Sequence, residues 1–321
     1  MKSFTRRSFI QTALVLAGAA LPLHSFASDA KTVRIGYQKS STLITVLKAD
    51  GSLEKKLAER GFKVSWHEFT SGQPLLEALN VGSIDFSADV ADTVPVFALA
   101  AGAKLAYVAQ ETPSPTAQAI LVPKDSPIKS VADLKGKKIG VARAAGAHYL
   151  LLASLAKAGL SFKDITPAYL SPADGRAAFE RGAIDAWVVW EPFSTAAQRQ
   201  SQARVLGNGN GGLADYQRYY LAPIAFTKTQ PEIVNTIFGE LVRTGKWVKQ
   251  NPQEAARLLA PIWGLDAATI EEANSRRSYD VRPVTPTALK EVQKIADAFH
   301  GEGLLPKPVN VFDGVVWTPG S

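Results

Sequence analysis

The segments EALNVGSIDF (residues 77–86) and AAFERGAIDA (residues 177–186) carry one pattern, repeated one hundred positions apart. In each, a helix-like stretch ends at a glycine, and an apolar strand begins after an aspartate. Glycine suits a helix end because it adopts the left-handed conformation at little cost. The flanking sequence repeats too, so each copy predicts the order strand, helix, strand, helix, strand. Two such units predict an α/β protein of two lobes, with a ligand cleft between them.

The rest of the chain can be assigned to these two lobes. With 321 residues, of which 46% are hydrophobic, it is long enough for two cores. Two prolines in the segment 111–115 predict a stiff first crossover, and the return crossover is expected near residues 213–219. The C-terminal sequence is mainly helical and is assigned to the first lobe. We therefore expect lobe one to comprise residues 28–112 and 217–321, and lobe two residues 113–216.

Residues 1–27 have the pattern of a removable export leader. The motif TRRSFI (residues 5–10) resembles the twin-arginine signal, an apolar run follows, and SFA (residues 25–27) offers a small-residue cleavage site. The alternative is a membrane anchor, but the apolar run is short and contains Pro22. The chain has no cysteine, which excludes disulfides, thiolate metal sites and a lipid-modified N-terminal cysteine. These features predict a soluble, unanchored protein of the periplasm.

The charge of the chain favours a small anionic ligand over a nucleic acid. It has 36 Lys and Arg residues against 29 Asp and Glu residues, a net charge of +7. Three of these bases and none of the acids lie in residues 1–27, so the mature chain keeps a net charge of +4. No run of Lys and Arg with interleaved aromatic residues occurs, and nucleic acid is therefore not an expected partner.

Ligands of open α/β sheets bind beyond the carboxyl ends of the strands, where loops lead into helix N-termini. In this chain those loops are rich in Ser, Thr, Gly and Gln, and helix starts there leave backbone N–H groups free for an anion. The candidate binding residues are Gln38, Ser41, Gly72, Gln73, Asp92 and Thr93 in lobe one, and Arg143, Gly146, Ala147, His148, Trp190 and Glu191 in lobe two.

Several candidates have an alternative role. Ser41 serves equally well as a helix cap. Arg143 could be a solvated charge, although its place at a strand end favours contact with an anion. Trp190 is either a core residue or an aromatic wall of the pocket, and the second is favoured. Glu191 is expected to orient a neighbour or to contact a ligand cation, and His148 to accept a hydrogen bond at a helix start.

The sequence does not predict an enzyme. His24 leaves with the leader, and His67 and His300 lie away from the predicted cleft loops. No nucleophile elbow, zinc-protease motif, Walker A loop or dinucleotide fingerprint occurs in its proper context. Carboxylates do not cluster at the cleft loops beyond Asp89 and Asp92, so neither a metal nor another cofactor is expected.

Four stretches carry a resemblance to a known family: IGYQK (residues 35–39), LEALNVGSID (residues 76–85), SPIKSVADLKG (residues 126–136) and DAWVVWEP (residues 185–192). With them, the mature chain resembles the periplasmic aliphatic sulfonate-binding proteins of ABC importers, within the nitrate, sulfonate and taurine solute-binding family. The resemblance implies the type II periplasmic binding protein fold, with mixed β-sheets flanked by helices. By position, the family's ligand loops fall on Gln38, Gly72, Gln73, Asp92, His148 and Trp190.

The resemblance also implies a function. It predicts a monomeric, non-enzymatic receptor that delivers a small organosulfonate to an ABC permease in the inner membrane, for sulfur acquisition. Two departures from the family leave the preferred ligand open. AAGA (residues 144–147) replaces a serine-rich loop, and ADTVP (residues 91–95) replaces a T-G-D-x-P-P segment. The alternatives are a taurine, nitrate or sulfate-ester receptor, or an enzyme of the same fold in thiamine-pyrimidine synthesis.

Overall fold

The structure, a computed structural model, describes residues 31–320, and the predicted leader lies outside this range. The strands are β1 (Lys31–Gln38), β2 (Phe62–Phe69), β3 (Phe86–Ala91), β4 (Leu105–Glu111), β5 (Gln118–Val122), β6 (Lys138–Val141), β7 (Thr166–Tyr169), β8 (Ala186–Trp190), β9 (Arg204–Asn208), β10 (Arg218–Pro223), β11 (Val281–Arg282) and β12 (Val315–Val316). The helices are α1 (Thr42–Asp50), α2 (Ser52–Ala58), α3 (Gly72–Asn80), α4 (Thr93–Ala100), α5 (Gly146–Lys157), α6 (Pro172–Glu180), α7 (Phe193–Gln200), α8 (Ile224–Thr229), α9 (Pro231–Gln250), α10 (Pro252–Trp263), α11 (Ala267–Ser275) and α12 (Pro286–Gly301).

The strands form two mixed sheets. The first has the order β11-β4-β10-β3-β1-β2, with β12 beside β4, and the second has the order β7-β6-β8-β5-β9. The strands β2, β1 and β3 are parallel, and so are β7, β6 and β8. Strand β10 is antiparallel to β3 and β4, and β5 is antiparallel to β8 and β9. Two mixed sheets flanked by helices confirm the predicted fold class.

Close packing between a glycine and an isoleucine explains part of the sequence repeat. Ile84, before β3, lies so close to Gly36 in β1 that any side chain at Gly36 would clash with it. Ile184 and Gly140 in β6 make the same contact in the second sheet. Both isoleucines are buried, so each pair fixes the distance between the loop before the third strand and the first strand of its unit.

The aspartates of the repeat fasten the same strands together. The Asp85 carboxylate accepts hydrogen bonds from the backbone N–H of Arg34, over 2.9 Å, and from its guanidinium. Asp185 likewise accepts from the backbone N–H of Lys138, over 2.7 Å. Each aspartate also donates its backbone N–H to the carbonyl of the same partner residue. The isoleucine and aspartate of the repeat therefore hold the third strand of each unit against its first strand.

Helices cover both faces of the first sheet. On one face, α1, α2, α9 and α10 pack together over the apolar side chains of β1 and β3. On the other face α3, α4 and α12 pack together, and their buried core is continuous with that of the second sheet. Because this core is continuous, it holds both sheets close to the loops that contain the candidate residues.

One helix prediction is wrong. The pattern of residues 41–60 predicts a single helix, but α1 ends at Gly51, which has a left-handed φ of 67°, and α2 begins directly after it. The pattern of residues 231–250 also predicts one long helix, and α9 (Pro231–Gln250) confirms it. Within residues 31–320, no helix combines the length and the apolar character needed to cross a membrane.

Candidate functional site

Loops that follow strands of both sheets meet at one place. Trp190, at the end of β8, donates from Nε1 to the Oγ of Ser40, just after β1, over 3.1 Å. Gly146, at the start of α5, packs so closely on Tyr216 and Ala91 that a Cβ atom there would clash with both. The carboxyl ends of β1, β3 and β8 and the N-terminus of α5 thus surround a common region, which we take as the candidate site.

Gln38 and Ser41 form the part of the site that follows β1. The Gln38 side chain donates to the backbone carbonyl of Asp89, over 3.1 Å, and its backbone N–H donates to the Ser41 hydroxyl, over 3.2 Å. Both residues are buried. Ser41 occupies the N-cap position of α1, as its alternative role predicts, but its side chain bonds none of that helix's free N–H groups.

Asp92 and Thr93 lie at the start of α4. The Asp92 carboxylate accepts from the backbone N–H of Thr93, over 3.0 Å, and from that of Gln217, over 2.9 Å. Burial raises the pKa of Asp92 to about 7, although these hydrogen bonds and the charge of Arg218 oppose the rise. Asp92 is thus a buried acid that carries little negative charge below neutral pH.

Gly72 and Gln73 form the N-terminus of α3. A side chain at Gly72 would clash with Val94 of α4, so glycine there lets the two helices approach closely. The Gln73 amide is partly exposed and donates to Glu77 over 2.9 Å. Gln73 therefore presents a polar group at the edge of the site, while Gly72 has a packing role.

His148 lies in an aromatic pocket near the start of α5. Its Nδ1 accepts from the backbone N–H of Ala144, over 3.3 Å, which is the helix-start hydrogen bond expected from the sequence. Its ring packs on Phe162, Tyr169 and Phe299 at centroid distances of 5.2, 5.6 and 4.9 Å. Burial, aided by the nearby charge of Arg143, lowers the pKa of His148 to about 3, so the imidazole is neutral. Ala147, beside it, is completely buried.

Glu191 contacts neighbouring side chains and backbone. Its carboxylate accepts from Arg276 over 2.5 Å and from the backbone N–H of Thr195 over 3.0 Å. Burial raises the pKa of Glu191, and the charge of Arg276 opposes this. Arg276 also donates to the Thr195 hydroxyl over 2.8 Å. The carboxylate thus links the start of α7 to the end of α11, which is the orienting role predicted for it.

A buried network of four charged residues, which the sequence patterns did not predict, lies beneath the site. Arg218 bonds Asp89 over 2.5 Å. Arg277 bonds the same Asp89 oxygen over 3.0 Å and both oxygens of Glu111 over 2.9 and 2.8 Å. Burial disfavours the charge on Arg277, but Glu111 and Asp89 outweigh it and raise its pKa. Two cations and two carboxylates leave the network neutral, which permits its burial.

The network touches the candidate residues directly. Asp89 provides the carbonyl that Gln38 bonds, and Arg277 donates to the carbonyl of Ser40 over 3.4 Å. A usable signal was present in the sequence, since β3 and β10 each contain one charged residue among otherwise apolar or small ones. Arg277, which pairs with Asp89, follows α11 in the C-terminal part of the chain, and no local sequence pattern connects it to the network.

The candidate residues are not all brought together. Gln38, Ser41, Asp92, Gly146 and Trp190 lie around the junction of the two sheets, on contacts already described. Gln73 and Arg143 instead line a cavity at the edge of this junction, and His148 faces aromatic rings. Among residues 31–320 no group of three or more histidines, aspartates or glutamates is placed to hold a metal ion.

Comparison with known proteins places the chain in a family. The family described as NMT1/THI5 like matches residues 57–255, more than half of the chain. The chain belongs to the NMT1/THI5-like family. A relative of Escherichia coli (strain K12), named as an aliphatic sulfonates-binding protein, is 40% identical to this NMT1/THI5-like protein over 311 residues, which are 95% of this chain and 96% of the relative.

Solved structures agree with this assignment. The alkanesulfonate-binding protein from Xanthomonas axonopodis pv. citri, bound to MOPS, is 40% identical with a TM-score of 0.85, over 91% of this chain and 99% of that one. The periplasmic aliphatic sulphonate-binding protein from Escherichia coli is 39% identical with a TM-score of 0.81, over 91% of this chain and 93% of that one. The resemblance inferred from the four sequence stretches is thereby confirmed.

These relatives are named as binding proteins, which agrees with the prediction that the chain is not an enzyme. A desulfurization enzyme also shares the fold, at 17% identity and a TM-score of 0.63. A likeness at that level of identity concerns the fold alone.

Proposed function

We propose that this NMT1/THI5-like protein is the solute-binding component of an ABC importer. It binds a small aliphatic sulfonate in the periplasm and delivers it to a membrane permease, which supplies the cell with sulfur. The observation that carries the proposal is the similarity, along 91% of the chain, to an alkanesulfonate-binding protein bound to MOPS. MOPS is itself a propanesulfonate that bears a morpholine ring.

The proposed binding residues suit an anion that never gains a proton. A sulfonate stays ionised throughout the biological pH range, so its site needs hydrogen-bond donors and cations. Arg143 supplies an exposed guanidinium that forms no ion pair within residues 31–320. We propose as ligand contacts the predicted set, Gln38, Ser41, Gly72, Gln73, Asp92, Thr93, Arg143, Gly146, Ala147, His148, Trp190 and Glu191.

The two acids of this set do not contradict an anionic ligand. Glu191 has its charge opposed by Arg276, and Asp92 holds a proton up to about pH 7 because it is buried. Each therefore repels a sulfonate less than a free carboxylate does.

We further propose that the two sheets belong to lobes that close on the ligand. Lobe one comprises residues 28–112 and 217–321, and lobe two residues 113–216. The crossovers near residues 111–115 and 213–219 are short, so a rotation can be absorbed there while each sheet stays rigid. Contacts such as that of Trp190 with Ser40 join the lobes in the closed state.

The remaining parts of the proposal concern export and assembly. We propose that residues 1–27 are a twin-arginine leader and that the mature protein is a soluble monomer without a lipid anchor. Its partners are the sulfonate and the permease.

Calorimetry on the purified mature protein tests the proposed function. We expect a short alkanesulfonate to bind near micromolar Kd, about −8 kcal/mol, and taurine, nitrate and sulfate to bind more weakly. Arg143→Gln should weaken sulfonate binding, whereas Arg181→Gln, the same change at an exposed site after α6, should not. Tight binding of nitrate with no heat from any sulfonate would overturn the proposal.

A further inference from the structure

A groove between α3 and α4 starts where the proposed site ends. It is lined by Gln73, Leu76, Glu77 and Asn80 of α3, by Val94, Phe97 and Ala98 of α4, by Ala101 just after α4, and by Arg143. The spacing of three and four places both sets on single helix faces. The residues just before the first lining position of each helix are Gly72 and Thr93, both proposed ligand contacts. Gln73 and Arg143, which line the groove, are themselves proposed ligand contacts, so the groove adjoins the proposed site.

The groove has an apolar floor and a polar rim. Leu76 and Val94 are buried in its floor, and Phe97 is held by edge-to-face contact with Phe299 at 5.0 Å. The polar groups of α3 lie on its rim, where Glu77 already accepts the Gln73 amide. The apolar floor can bind hydrocarbon, while charged and polar groups stand only at the rim.

Arg143 places a positive charge at the groove. Its guanidinium lies 5.9 Å from the centre of the Tyr169 ring and has no carboxylate partner among the described residues. A cation beside an apolar channel matches a molecule that has an anionic head and an apolar tail. The volume of about 210 Å³ exceeds the roughly 150 Å³ of an apolar cavity that holds benzene.

We propose that the groove between α3 and α4 is a subsite for the apolar tail of the sulfonate. The preferred ligands are then sulfonates with a chain of about six carbons or an aromatic ring, rather than methanesulfonate or ethanesulfonate. This inference rests on the proposed function, since it requires the sulfonate head to bind at the neighbouring loops. It also assigns Ala98, Ala101 and Phe97 a role in specificity.

A chain-length series tests the subsite without any mutation. Each methylene buried in the groove should raise affinity about fourfold, so hexanesulfonate should bind more than tenfold tighter than ethanesulfonate. Calorimetry with ethane-, butane-, hexane- and benzenesulfonate measures this. Equal affinity along the series overturns the subsite, whereas no heat from any sulfonate, ethanesulfonate included, overturns the proposed function instead.

Filling the groove provides a second test. Ala98→Phe should lower the affinity ratio of hexanesulfonate to ethanesulfonate at least tenfold, and the smaller change Ala101→Leu should lower it in the same direction. Ala100→Phe is the matched control, because Ala100 borders a separate depression on α4. Arg143→Gln should weaken both ligands and leave the ratio unchanged. An equal ratio in Ala98→Phe, Ala100→Phe and the natural protein, with melting curves showing all three folded, would refute the subsite.

Discussion

Replacing Arg277 with methionine should destabilise the protein by about 3–5 kcal/mol, because it removes one partner of a buried ion network. Arg277 bonds Asp89 over 3.0 Å and Glu111 over 2.9 and 2.8 Å, and all three side chains are at most 3% exposed. Without it, two buried carboxylates share the single cation of Arg218. The Tyr220 hydroxyl still donates to Glu111 over 2.9 Å, so the Glu111 carboxylate keeps one hydrogen bond.

Urea unfolding followed by tryptophan fluorescence measures this change. Arg199→Met is the matched control, because Arg199 pairs with Glu272 at the surface, over 3.2 Å, where such pairs contribute about 0.2–1 kcal/mol. Removing both charges in Arg277→Met with Glu111→Gln leaves the neutral pair of Arg218 and Asp89. The double variant should therefore be more stable than the sum of the single losses predicts, by about 0.5–3 kcal/mol.

Two results would refute this reasoning. The first is unfolding of Arg277→Met at the same urea concentration as Arg199→Met, and the second is simple additivity of the two network substitutions. Either outcome would mean that water reaches the network and screens its charges.

Three further predictions concern binding, motion and pH. Trp190→Ala should weaken sulfonate binding by about 1–3 kcal/mol, and Trp190→Phe, which keeps an aromatic ring but loses the bond to Ser40, by about 1 kcal/mol; unchanged affinity in the folded variants, by calorimetry, would make Trp190 a core residue only. Small-angle scattering should show a smaller radius of gyration with saturating sulfonate, and superimposable profiles despite confirmed binding would exclude closure of the lobes. Asp92 should lose its proton at about pH 7 when folded but at about 3.8 when unfolded, so its contribution to stability falls as pH rises between these values. The stability of the natural protein relative to Asp92→Asn, from urea titrations, should thus be greater at pH 5 than at pH 8, and parallel curves would contradict the raised pKa.

The repeat made much of the fold predictable. Gly82 and Gly182 have left-handed φ values of 73° and 68°, as their places at helix ends predict. The strands that follow each repeat pair in parallel with the first strand of their unit, because Asp85 and Asp185 hold them there. Local patterns of this kind are visible in sequence, since the interacting residues recur at the same spacing in both copies.

The candidate site was less predictable because its strongest contacts join distant parts of the chain. Arg277 reaches Glu111 across 166 positions, and Phe299 packs on His148 from the C-terminal helix α12. A strand-end loop in the sequence shows which residues lie near the cleft, but not which of them already form hydrogen bonds with neighbouring residues. Glu191 illustrates this, because Arg276 and Thr195 occupy a carboxylate that sequence alone left open to a ligand cation.

The position of β10 between β3 and β4 has a consequence for the order of assembly. The second sheet needs only residues 118–208, which form a continuous stretch of chain. The first sheet contains the earliest strands, yet β3 and β4 are joined through β10, whose residues 218–223 emerge after the whole second sheet. During synthesis, the sheet that begins first is therefore completed last. Until then β3 and β4 have unpaired edges, a period in which a chaperone or a pairing error can act on the nascent chain.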